Sequence, residues 1–205
     1  LCVYLCDGCL LVQLGATVAP EVLFSEYAYF SSYSRSWLEH CERFAGMARE
    51  RYALGAASKV VEVASNDGHL LHSFTAAGVP VLGVEPAANV AGVARKNGIP
   101  TEVAFFGRAT AERLVAAGHG ADLVVANNVL AHVPELNDFV AGLAVLVKPG
   151  GAITVEFPHL LRLIEGVQFD TIYHEHVSYL SLGVVERVFA AQGLNVIDVE
   201  ELPTH

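Results

Sequence analysis

Between residues 55 and 157 the sequence alternates short apolar runs with alanine-rich amphipathic segments, and this alternation limits the possible folds more than any other feature. The apolar runs have the length of strands, and the segments between them have the length of helices. Strands that alternate with helices pair in parallel, and helices then cover both faces of the sheet. The sequence therefore predicts a doubly wound α/β domain with strands at 59–64, 81–85, 101–105, 121–127 and 151–157 and helices at 70–77, 88–96, 109–117 and 136–147.

Three segments of different character divide the chain. Residues 1–28 predict a short β-rich piece with a strand at 10–14, and residues 29–54 predict a linking segment with an amphipathic helix at 34–54. Residues 55–205 hold the α/β domain, which is predicted to close with a helix at 182–192 and a strand at 194–199. That last strand needs an antiparallel partner, and the chain begins at Leu1, so we expect a piece of a longer protein.

Composition excludes several classes of protein and of partner. Apolar residues make up 53% of the 205 residues and charged residues 17%, which excludes intrinsic disorder. The net charge of −10 argues against nucleic acid, so a small molecule is the expected partner. The longest apolar run, 139–147, is about half as long as a bilayer-spanning helix, so no membrane partner is expected. Four cysteines without a secretory leader predict a reducing, cytoplasmic location, whereas the oligomeric state is left open.

The first strand of the predicted sheet leads into Glu62-Val-Ala64-Ser65-Asn66-Asp67-Gly68, a loop of small and polar residues. Ligands of doubly wound sheets bind beyond the carboxyl ends of the strands, where such a loop directs backbone N–H groups at them. A dinucleotide site needs G-x-G-x-x-G, whose third glycine would fall on His69. The spacing matches instead the E/D-x-G-x-G-x-G pattern of S-adenosylmethionine (SAM) sites, with Ala64 and Asn66 replacing two glycines. An ordinary structural turn at Gly68 is the alternative.

Polar residues also follow the second and fourth strands of the predicted sheet. Glu85, followed by Pro86, stands where a carboxylate can accept hydrogen bonds from both hydroxyls of an adenosine ribose. Asn127 and Asn128 end the fourth strand at the position that faces a methyl-transfer centre in such sheets, and His132 follows them. Solvated structural side chains at strand ends are the alternative interpretation.

The densest group of acid–base side chains is Tyr173-His174-Glu175-His176. Imidazole titrates nearest to neutrality, so a histidine here suits removal of a proton from carbon beside a carbonyl group. In an extended segment Tyr173 shares a face with Glu175, and His174 shares one with His176, unless the loop bends. A hydrogen-bonded structural loop and a surface metal site on the two histidines are the alternatives.

Cys6 and Cys9 have the CxxC spacing of half a tetrahedral zinc site. A thioredoxin-like redox pair is disfavoured because residues 10–14 predict a strand, whereas such a pair opens a helix. The two thiols are therefore candidate metal ligands, while Cys2 is expected to pack.

The order of these motifs resembles the nucleotide-sugar C-methyltransferases, SAM-dependent enzymes that build branched deoxysugars. The resemblance implies a Rossmann-like class I methyltransferase sheet, preceded by a partial β-rich zinc-binding module. It also implies SAM as cofactor and a nucleotide-linked keto-deoxysugar as substrate. It covers essentially the whole chain through the segments 6–14, 29–34, 61–71, 82–86, 127–134, 156–160 and 169–176.

The resemblance also implies parts that this sequence does not contain. In that family four cysteines in two CxxC pairs bind a structural zinc ion, and Cys6 and Cys9 match the second pair. A C-terminal domain that helps to hold the nucleotide sugar follows a segment beginning Leu-Pro-Thr-His, which matches residues 202–205. We therefore expect half a zinc site and no C-terminal substrate domain here.

The resemblance implies that His176 is the general base, that Tyr173 and Glu175 assist it, and that His132 is an active-site histidine. On this hypothesis His176 removes the proton from the ring carbon beside the ketone, and the enolate carbon attacks the methyl group of SAM. Tyr173 or His132 would donate a hydrogen bond to the developing oxyanion. Glu175 would hold an imidazole in the required tautomer.

Substrate contacts are implied for Tyr27 or Tyr33, between which the sequence does not choose, and for His159. Two other functions stay open at this point. A SAM-dependent O-methyltransferase would use the same cofactor loop with a hydroxyl acceptor. An NAD-dependent sugar oxidoreductase is disfavoured by the missing third glycine.

Overall fold

The computed structural model describes residues 1–202, so that residues 203–205 of the Leu-Pro-Thr-His segment lie outside the described residues. Within residues 1–202 the chain forms eight strands, of which five belong to one parallel sheet. The strands are β1 (Val3–Leu5), β2 (Val12–Leu14), β3 (Val60–Val63), β4 (Val81–Val84), β5 (Thr101–Glu102), β6 (Ala121–Asn127), β7 (Val147–Glu156) and β8 (Ser178–Tyr179).

Eight α-helices are present in the same residues, and those between β3 and β7 alternate with the strands. The helices are α1 (Pro20–Phe24), α2 (Arg35–Arg51), α3 (His69–Ala76), α4 (Ala88–Lys96), α5 (Arg108–Ala116), α6 (Leu136–Leu146), α7 (Leu160–Glu165) and α8 (Leu182–Ala190). Helix α2 begins after Ser34, whose hydroxyl accepts a hydrogen bond from the backbone N–H of Trp37. Short 3₁₀ turns lie at 31–33, 130–132 and 169–171.

The parallel sheet has the strand order β5-β4-β3-β6-β7 and confirms the predicted doubly wound α/β fold. The chain builds outward from β3 through β4 to β5, and then returns to the other side of β3 to add β6 and β7. The direction of building therefore reverses between β3 and β6. In open parallel sheets the loops at the carboxyl ends of two such strands enclose a ligand crevice.

Alternate residues of the central strands supply two hydrophobic cores on opposite faces of the sheet. Val60, Leu123 and Val125 pack with the buried faces of α2 and α3. Val61 and Val124 point the other way and pack with α5, α6 and α8. Both faces are thus covered by helices, as expected for a parallel sheet whose central strands are buried.

A second, antiparallel sheet joins the N-terminus to a late part of the chain. Its order is β1-β2-β8, with Val12 opposite Tyr179 and Gln13 opposite Ser178. The backbone N–H of Leu14 donates to the carbonyl of Val177 at 3.0 Å. The N-terminal hairpin is therefore fixed to the residues that directly follow the Tyr173-His174-Glu175-His176 segment.

The structure differs from the predicted elements in a few places. Residues 194–199 form no strand in the described part of the chain, because no described strand pairs with them. Strand β7 begins at Val147, earlier than expected, and the register against β6 shifts between Ala121 and Leu123. The short elements α1, α7 and β8 were not predicted, since each is too brief to show a clear hydrophobic period. Among the described helices, none combines the length and the apolar character that crossing a bilayer requires.

Candidate active site

A cavity of about 960 Å³ lies over the carboxyl ends of β3, β4 and β6. Its volume is at the upper end of the range usual for small-molecule sites. Among its described lining residues there is no lysine or arginine. Six carboxyl side chains line it, namely Glu21, Glu62, Glu85, Glu135, Asp138 and Asp170. The wall is therefore suited to a cationic or neutral ligand.

The loop after β3 has the backbone geometry of a glycine-rich turn although it contains one glycine. Ala64, Asn66 and Gly68 have φ values of 58°, 49° and 77°, which places all three in the left-handed region. These are the positions that glycine occupies in the E/D-x-G-x-G-x-G pattern. At Gly68 a Cβ atom would also lie 3.1 Å from the side chain of Ile99. The sequence spacing thus corresponds to a real backbone conformation, held here at a cost of about 1–2 kcal/mol for a residue such as Ala64.

Glu62 precedes this turn in the central strand β3 and lines the cavity. It is buried, and its Oε2 has no hydrogen-bond partner among the described residues. Burial, with the nearby carboxylates of Glu85 and Asp67, raises the pKa of Glu62 well above its usual range. A buried carboxyl group without a partner is costly, so this oxygen is suited to a donor group on a bound ligand.

Glu85 lies at the end of β4 with its carboxylate folded against the backbone. Its Oε2 accepts from the N–H of Asn66 and its Oε1 from the N–H of Ala87, both at 2.9 Å. Burial raises the pKa of Glu85, and these two N–H groups oppose that shift. Each carboxylate oxygen can accept a further hydrogen bond, so the group remains able to bind a ribose diol. Pro86 lines the cavity beside it.

The end of β6 brings Asn127, Asn128 and His132 to the same cavity. Ser65, in the loop after β3, also lines it. The Asn127 Nδ2 and His132 Nδ1 atoms are buried without a partner among the described residues. Asn128 also has a left-handed backbone, with φ of 53°. These side chains therefore present unused polar atoms beside the cofactor loop.

His176 lines the opposite wall of the cavity, and its hydrogen bonds define its tautomer. Its Nδ1 lies 2.9 Å from the carbonyl oxygen of Thr171, which can only accept, so Nδ1 carries the proton. In the neutral ring Nε2 is then unprotonated, and it accepts from the Tyr173 hydroxyl at 3.0 Å. Burial lowers the pKa of His176, while the Thr171 carbonyl and Glu175 oppose the shift. Nε2 therefore carries no proton near neutral pH and can act as a base.

The loop containing His176 bends, which decides a pairing that the sequence left open. The backbone N–H of His176 donates to the carbonyl of Tyr173, so the side chains of His176 and Tyr173 lie on the same side of the loop. His174 is exposed and does not line the cavity. Glu175 was expected to hold an imidazole in its tautomer, and for His176 the Thr171 carbonyl makes that contact instead.

His132 faces His176, with ring centroids 4.8 Å apart and planes at 66°. Burial and the proximity of His176 lower the pKa of His132 to about 4, against the opposing effect of the carbonyls of Glu175 and Asn128. Two imidazoles thus lie in contact, and both are neutral at pH 7. A proton taken up by one of them would disfavour a proton on the other.

Tyr27 and Tyr33 lie in different surroundings although both belong to the aromatic segment before α2. Tyr27 lines the cavity, and its hydroxyl donates to Glu175 Oε2 at 3.1 Å. Burial and the charge of Glu175 raise its pKa, so it stays a donor. Tyr33 is 79% exposed and does not line the cavity. Tyr27 is therefore the better placed of the two candidate substrate contacts.

Four further candidates lie outside the main cavity. The Nε2 atom of His159 accepts from the backbone N–H of Leu182 at 3.1 Å, so this ring is used at the start of α8. Asp67 and Gly68 line a neighbouring cavity of about 330 Å³. Glu175 reaches the site through Tyr27.

The sequence interpretation missed a contact between a histidine and a carboxylate in the wall of the cavity. His40 of α2 lines the cavity, and its Nε2 lies 2.9 Å from Glu156 Oε2 at the end of β7. The Trp37 ring stacks on it, with centroids 5.1 Å apart. The signal was present, since His40 falls on the apolar side of α2, three residues after Trp37.

Cys6 and Cys9 lie in the turn of the β1–β2 hairpin, where hydrogen bonds from the backbone and thiol of Cys9 lower the pKa of Cys6. Cys2 is exposed, which contradicts the expectation that it packs. Among the described residues no third histidine, cysteine or carboxylate joins the pair in a group able to hold a metal ion. A structural zinc site takes four ligands, so residues 1–202 alone do not form one.

Comparison with curated proteins gives matches to methyltransferases. The chain is 39% identical over 204 residues to the C-methyltransferase NovU of Streptomyces niveus, a match that spans 99% of this chain and 48% of that protein. It is 26% identical over 159 residues to a ubiquinone biosynthesis O-methyltransferase of Burkholderia thailandensis, spanning 72% of this chain and 68% of that one. The chain therefore spans about half the length of the first of these relatives.

Solved structures show the same fold at low identity. Magnesium protoporphyrin IX methyltransferase (ChlM) from Synechocystis PCC 6803 was solved with bound SAH (S-adenosylhomocysteine, which is SAM without its methyl group). It has a TM-score of 0.60 at 14% identity, covering 78% of this chain and 74% of its own. DesVI from Streptomyces venezuelae has a TM-score of 0.50 at 22% identity, covering 62% and 53%. A methyltransferase domain family matches residues 29–199, which leaves no support for the oxidoreductase alternative. With its parallel sheet and turn geometry, the chain belongs to the methyltransferase domain family, the class I SAM-dependent methyltransferases.

Proposed function

We propose that the protein transfers a methyl group from SAM to the carbon next to the ketone of a nucleotide-linked keto-deoxysugar. The observation that carries this proposal is His176, an imidazole with an unprotonated Nε2, in the wall of the cavity that the cofactor loop also lines. A carbon acceptor must lose a proton to become a nucleophile, and a neutral imidazole is suited to that step. The 39% identity to a C-methyltransferase supports the same choice.

The residues around the cavity fit SAM, which carries a positively charged sulfonium and an ammonium group. Six carboxyl groups and no described lysine or arginine line the wall, so a cationic ligand is favoured. Glu85 is placed to accept from the ribose hydroxyls, and the unpartnered Glu62 Oε2 is suited to the ammonium group. When bound, SAM supplies the electrophilic methyl group.

Two side chains of the other wall would act on the substrate, and a third would support them. The Nε2 atom of His176 takes the proton from the substrate carbon, while the Thr171 carbonyl keeps Nδ1 protonated. Tyr173 now donates to Nε2, and with its pKa raised by burial it remains protonated. It can therefore turn from Nε2 to the ketone oxygen as negative charge develops there. His132, neutral beside His176, avoids a charge that would oppose proton uptake.

The charge of the cavity also limits which part of the substrate enters it. A nucleotide diphosphate carries negative charge, and an acidic wall without described basic residues would repel it. We therefore expect the uncharged sugar ring to reach His176, with the diphosphate held outside this wall.

The position of the new methyl group tests this proposal and separates it from O-methylation, which the Burkholderia relative's name represents. The protein would be incubated with ¹³C-methyl SAM and a keto-deoxysugar nucleotide labelled with ¹³C in the ring. A one-bond carbon–carbon coupling to the new methyl group is expected in the product. A methyl ether, which lacks that coupling, would overturn the proposal.

We also propose that Cys6 and Cys9 supply half of a structural zinc site whose other two ligands are not among the described residues. Four thiolates would leave no open position, so the metal would take no part in methyl transfer. Zinc analysis of the whole protein should give about one ion per chain, and much less after both cysteines are replaced by serine. An unchanged zinc content in that variant would exclude these ligands.

A further inference from the structure

The segment 24–34, here called the strap, forms part of the cavity wall, and Phe24, Tyr27 and Tyr29 line the cavity. We infer that Asn66 is a positioning residue that closes this strap over the cofactor and thereby presents Tyr27 to Glu175. The inference rests on the proposed function, since it takes residues 170–176, which contain His176, to be the segment that supplies the general base; we call it the base segment. The strap itself can be observed without turnover.

Asn66 joins the strap to the cofactor loop through its side chain. Its Oδ1 accepts from the backbone N–H of Ser31 at 2.9 Å, and its Nδ2 donates to the carbonyl of Tyr29 at 3.1 Å. The same residue donates its own backbone N–H to Glu85 Oε2 at 2.9 Å. One residue therefore contacts both the proposed ribose carboxylate and the strap.

The conformation of Asn66 makes this role specific to its side chain. With φ of 49° the position is one at which glycine has no steric cost, and glycine stands there in the motif pattern. Glycine would keep the turn and the backbone bond to Glu85, but it would lose both side-chain bonds to the strap. The Asn66 Oδ1 also accepts from the backbone N–H of Asp67 within the turn at 2.9 Å, so the two bonds to the strap are what the side chain adds beyond the turn.

Two further anchors hold the strap, one on the loop after β3 and one on helix α4. The backbone N–H of Ser32 donates to Asp67 Oδ2 at 3.2 Å. The backbone of Tyr27 makes a reciprocal pair with Asn89 of α4: its N–H donates to Oδ1 at 3.1 Å, and its carbonyl accepts from Nδ2 at 2.8 Å. All the backbone anchors thus belong to the cofactor side of the cavity.

The side chain of Tyr27 reaches the opposite side of the cavity. Its hydroxyl donates to Glu175 Oε2, in the loop that also holds Tyr173 and His176. Because the Tyr27 backbone is fixed from the cofactor side, closure of the strap fixes the position of the phenol. Asn66 therefore acts on the base segment through Tyr27, without touching it.

The test compares Asn66→Gly with Asn128→Gly, the same substitution at a left-handed residue of another loop. Among the described hydrogen bonds, none joins the side chain of Asn128 to the strap. Backbone amide hydrogen exchange at Ser31 and Ser32 is measured with SAH bound, together with the Kd for SAH and the kcat and KM for SAM. Neither exchange nor Kd requires catalysis, so a wrong substrate assignment would leave these two measurements interpretable.

In Asn66→Gly we expect exchange of the strap amides to rise about tenfold or more, because two hydrogen bonds are lost. The Kd for SAH should stay within about threefold, since the turn is kept. The kcat should fall while KM for SAM changes little. Asn128→Gly should leave strap exchange unchanged.

Two results would overturn the inference. One is strap exchange in Asn66→Gly equal to that of the wild-type protein, which would show that the side chain does not close the strap. The other is a faster-exchanging strap with unchanged kcat, which would show that closure does not matter for the base segment. A wild-type protein that binds SAH but methylates no keto sugar would instead count against the proposed function alone.

Discussion

The two walls of the cavity are built in different ways. The cofactor loop, 62–68, follows directly from a central strand, and its residues are largely buried. The base segment, 170–176, lies in a loop that follows no strand of the parallel sheet directly, and Tyr173 within it is 39% exposed. The first wall continues a strand whose backbone is paired on both sides, whereas the second depends on loop contacts such as Tyr27 to Glu175.

This difference separates what the fold provides from what the loops provide. A loop at the carboxyl end of β3 binds ligands in many doubly wound proteins, whatever reaction they catalyse. The loop holding His176 carries the groups that distinguish one reaction from another. Changes to the groups of the cofactor loop that face the ligand should therefore alter binding, and changes in the base segment should alter catalysis. Asn66, whose side chain bonds to the strap, is the exception within the cofactor loop.

The largest expected effect is that of His176→Asn. Loss of the general base should lower methyl transfer about 10²–10⁴-fold, while the Kd for SAH stays near that of the wild-type protein. His174→Asn is the matched control, because that ring is exposed and outside the cavity. Radiolabel transfer from SAM measures the rates, and comparable losses in the two variants would contradict the separation of the walls.

The second effect is on stability between pH 6.5 and pH 4. The pKa of His132 is lowered to about 4 in the folded protein, so in this range the unfolded chain binds a proton that the folded chain does not. Stability should therefore fall as the pH decreases through this window, by up to about 3 kcal/mol. Urea unfolding at a series of pH values measures it. His132→Gln should lose that part of the slope, and an identical slope in both proteins would refute the assignment.

Glu85→Ala should weaken SAH binding in the cofactor wall by about 1.5–3 kcal/mol, the usual contribution of hydrogen bonds to a charged group. Part of the loss comes from the N–H of Asn66, which would lose its acceptor. Glu85→Gln keeps one carbonyl acceptor and should lose less. Calorimetry of both variants checks this, and a Kd in Glu85→Ala equal to the wild-type value would remove the ribose assignment.

The smallest effect concerns backbone strain at Ala64. Replacement by glycine at its φ of 58° should stabilise the protein by about 1 kcal/mol, since the left-handed conformation disfavours a Cβ atom. Ala87→Gly is the control, because Ala87 has φ of −77° and gains nothing from glycine. Thermal unfolding of both variants measures the difference, and destabilisation by Ala64→Gly would show that no strain is stored there.

The sequence predicted the cofactor wall better than the base wall, and the reason is physical. Periodic apolar runs define the strands, and the strands fix where Glu62, Glu85 and Asn127 must stand. Ala64 and Asn66, which replace the glycines of the spacing pattern, do adopt left-handed backbone conformations. Both facts depend on local backbone geometry, which a sequence expresses directly.

The base wall depends on contacts between residues far apart in the chain, and these left little signal in the sequence. The partner of Tyr27 is Glu175, and that of His40 is Glu156. The tautomer of His176 depends on a carbonyl group, which every residue possesses. Spacing patterns do not contain such information, so the sequence did not identify the Thr171 carbonyl as the partner of His176 Nδ1.

The central claim is that Nε2 of His176 removes a proton from the carbon next to a ketone, and solvent exchange at that carbon tests it most directly. A keto-deoxysugar nucleotide would be incubated in deuterated water with the protein and SAH, so that proton removal occurs without methyl transfer. NMR should show deuterium entering at that carbon with the wild-type protein, and entering at least about 100-fold more slowly with His176→Asn. Undiminished exchange in His176→Asn would contradict the account and assign the proton transfer to another group.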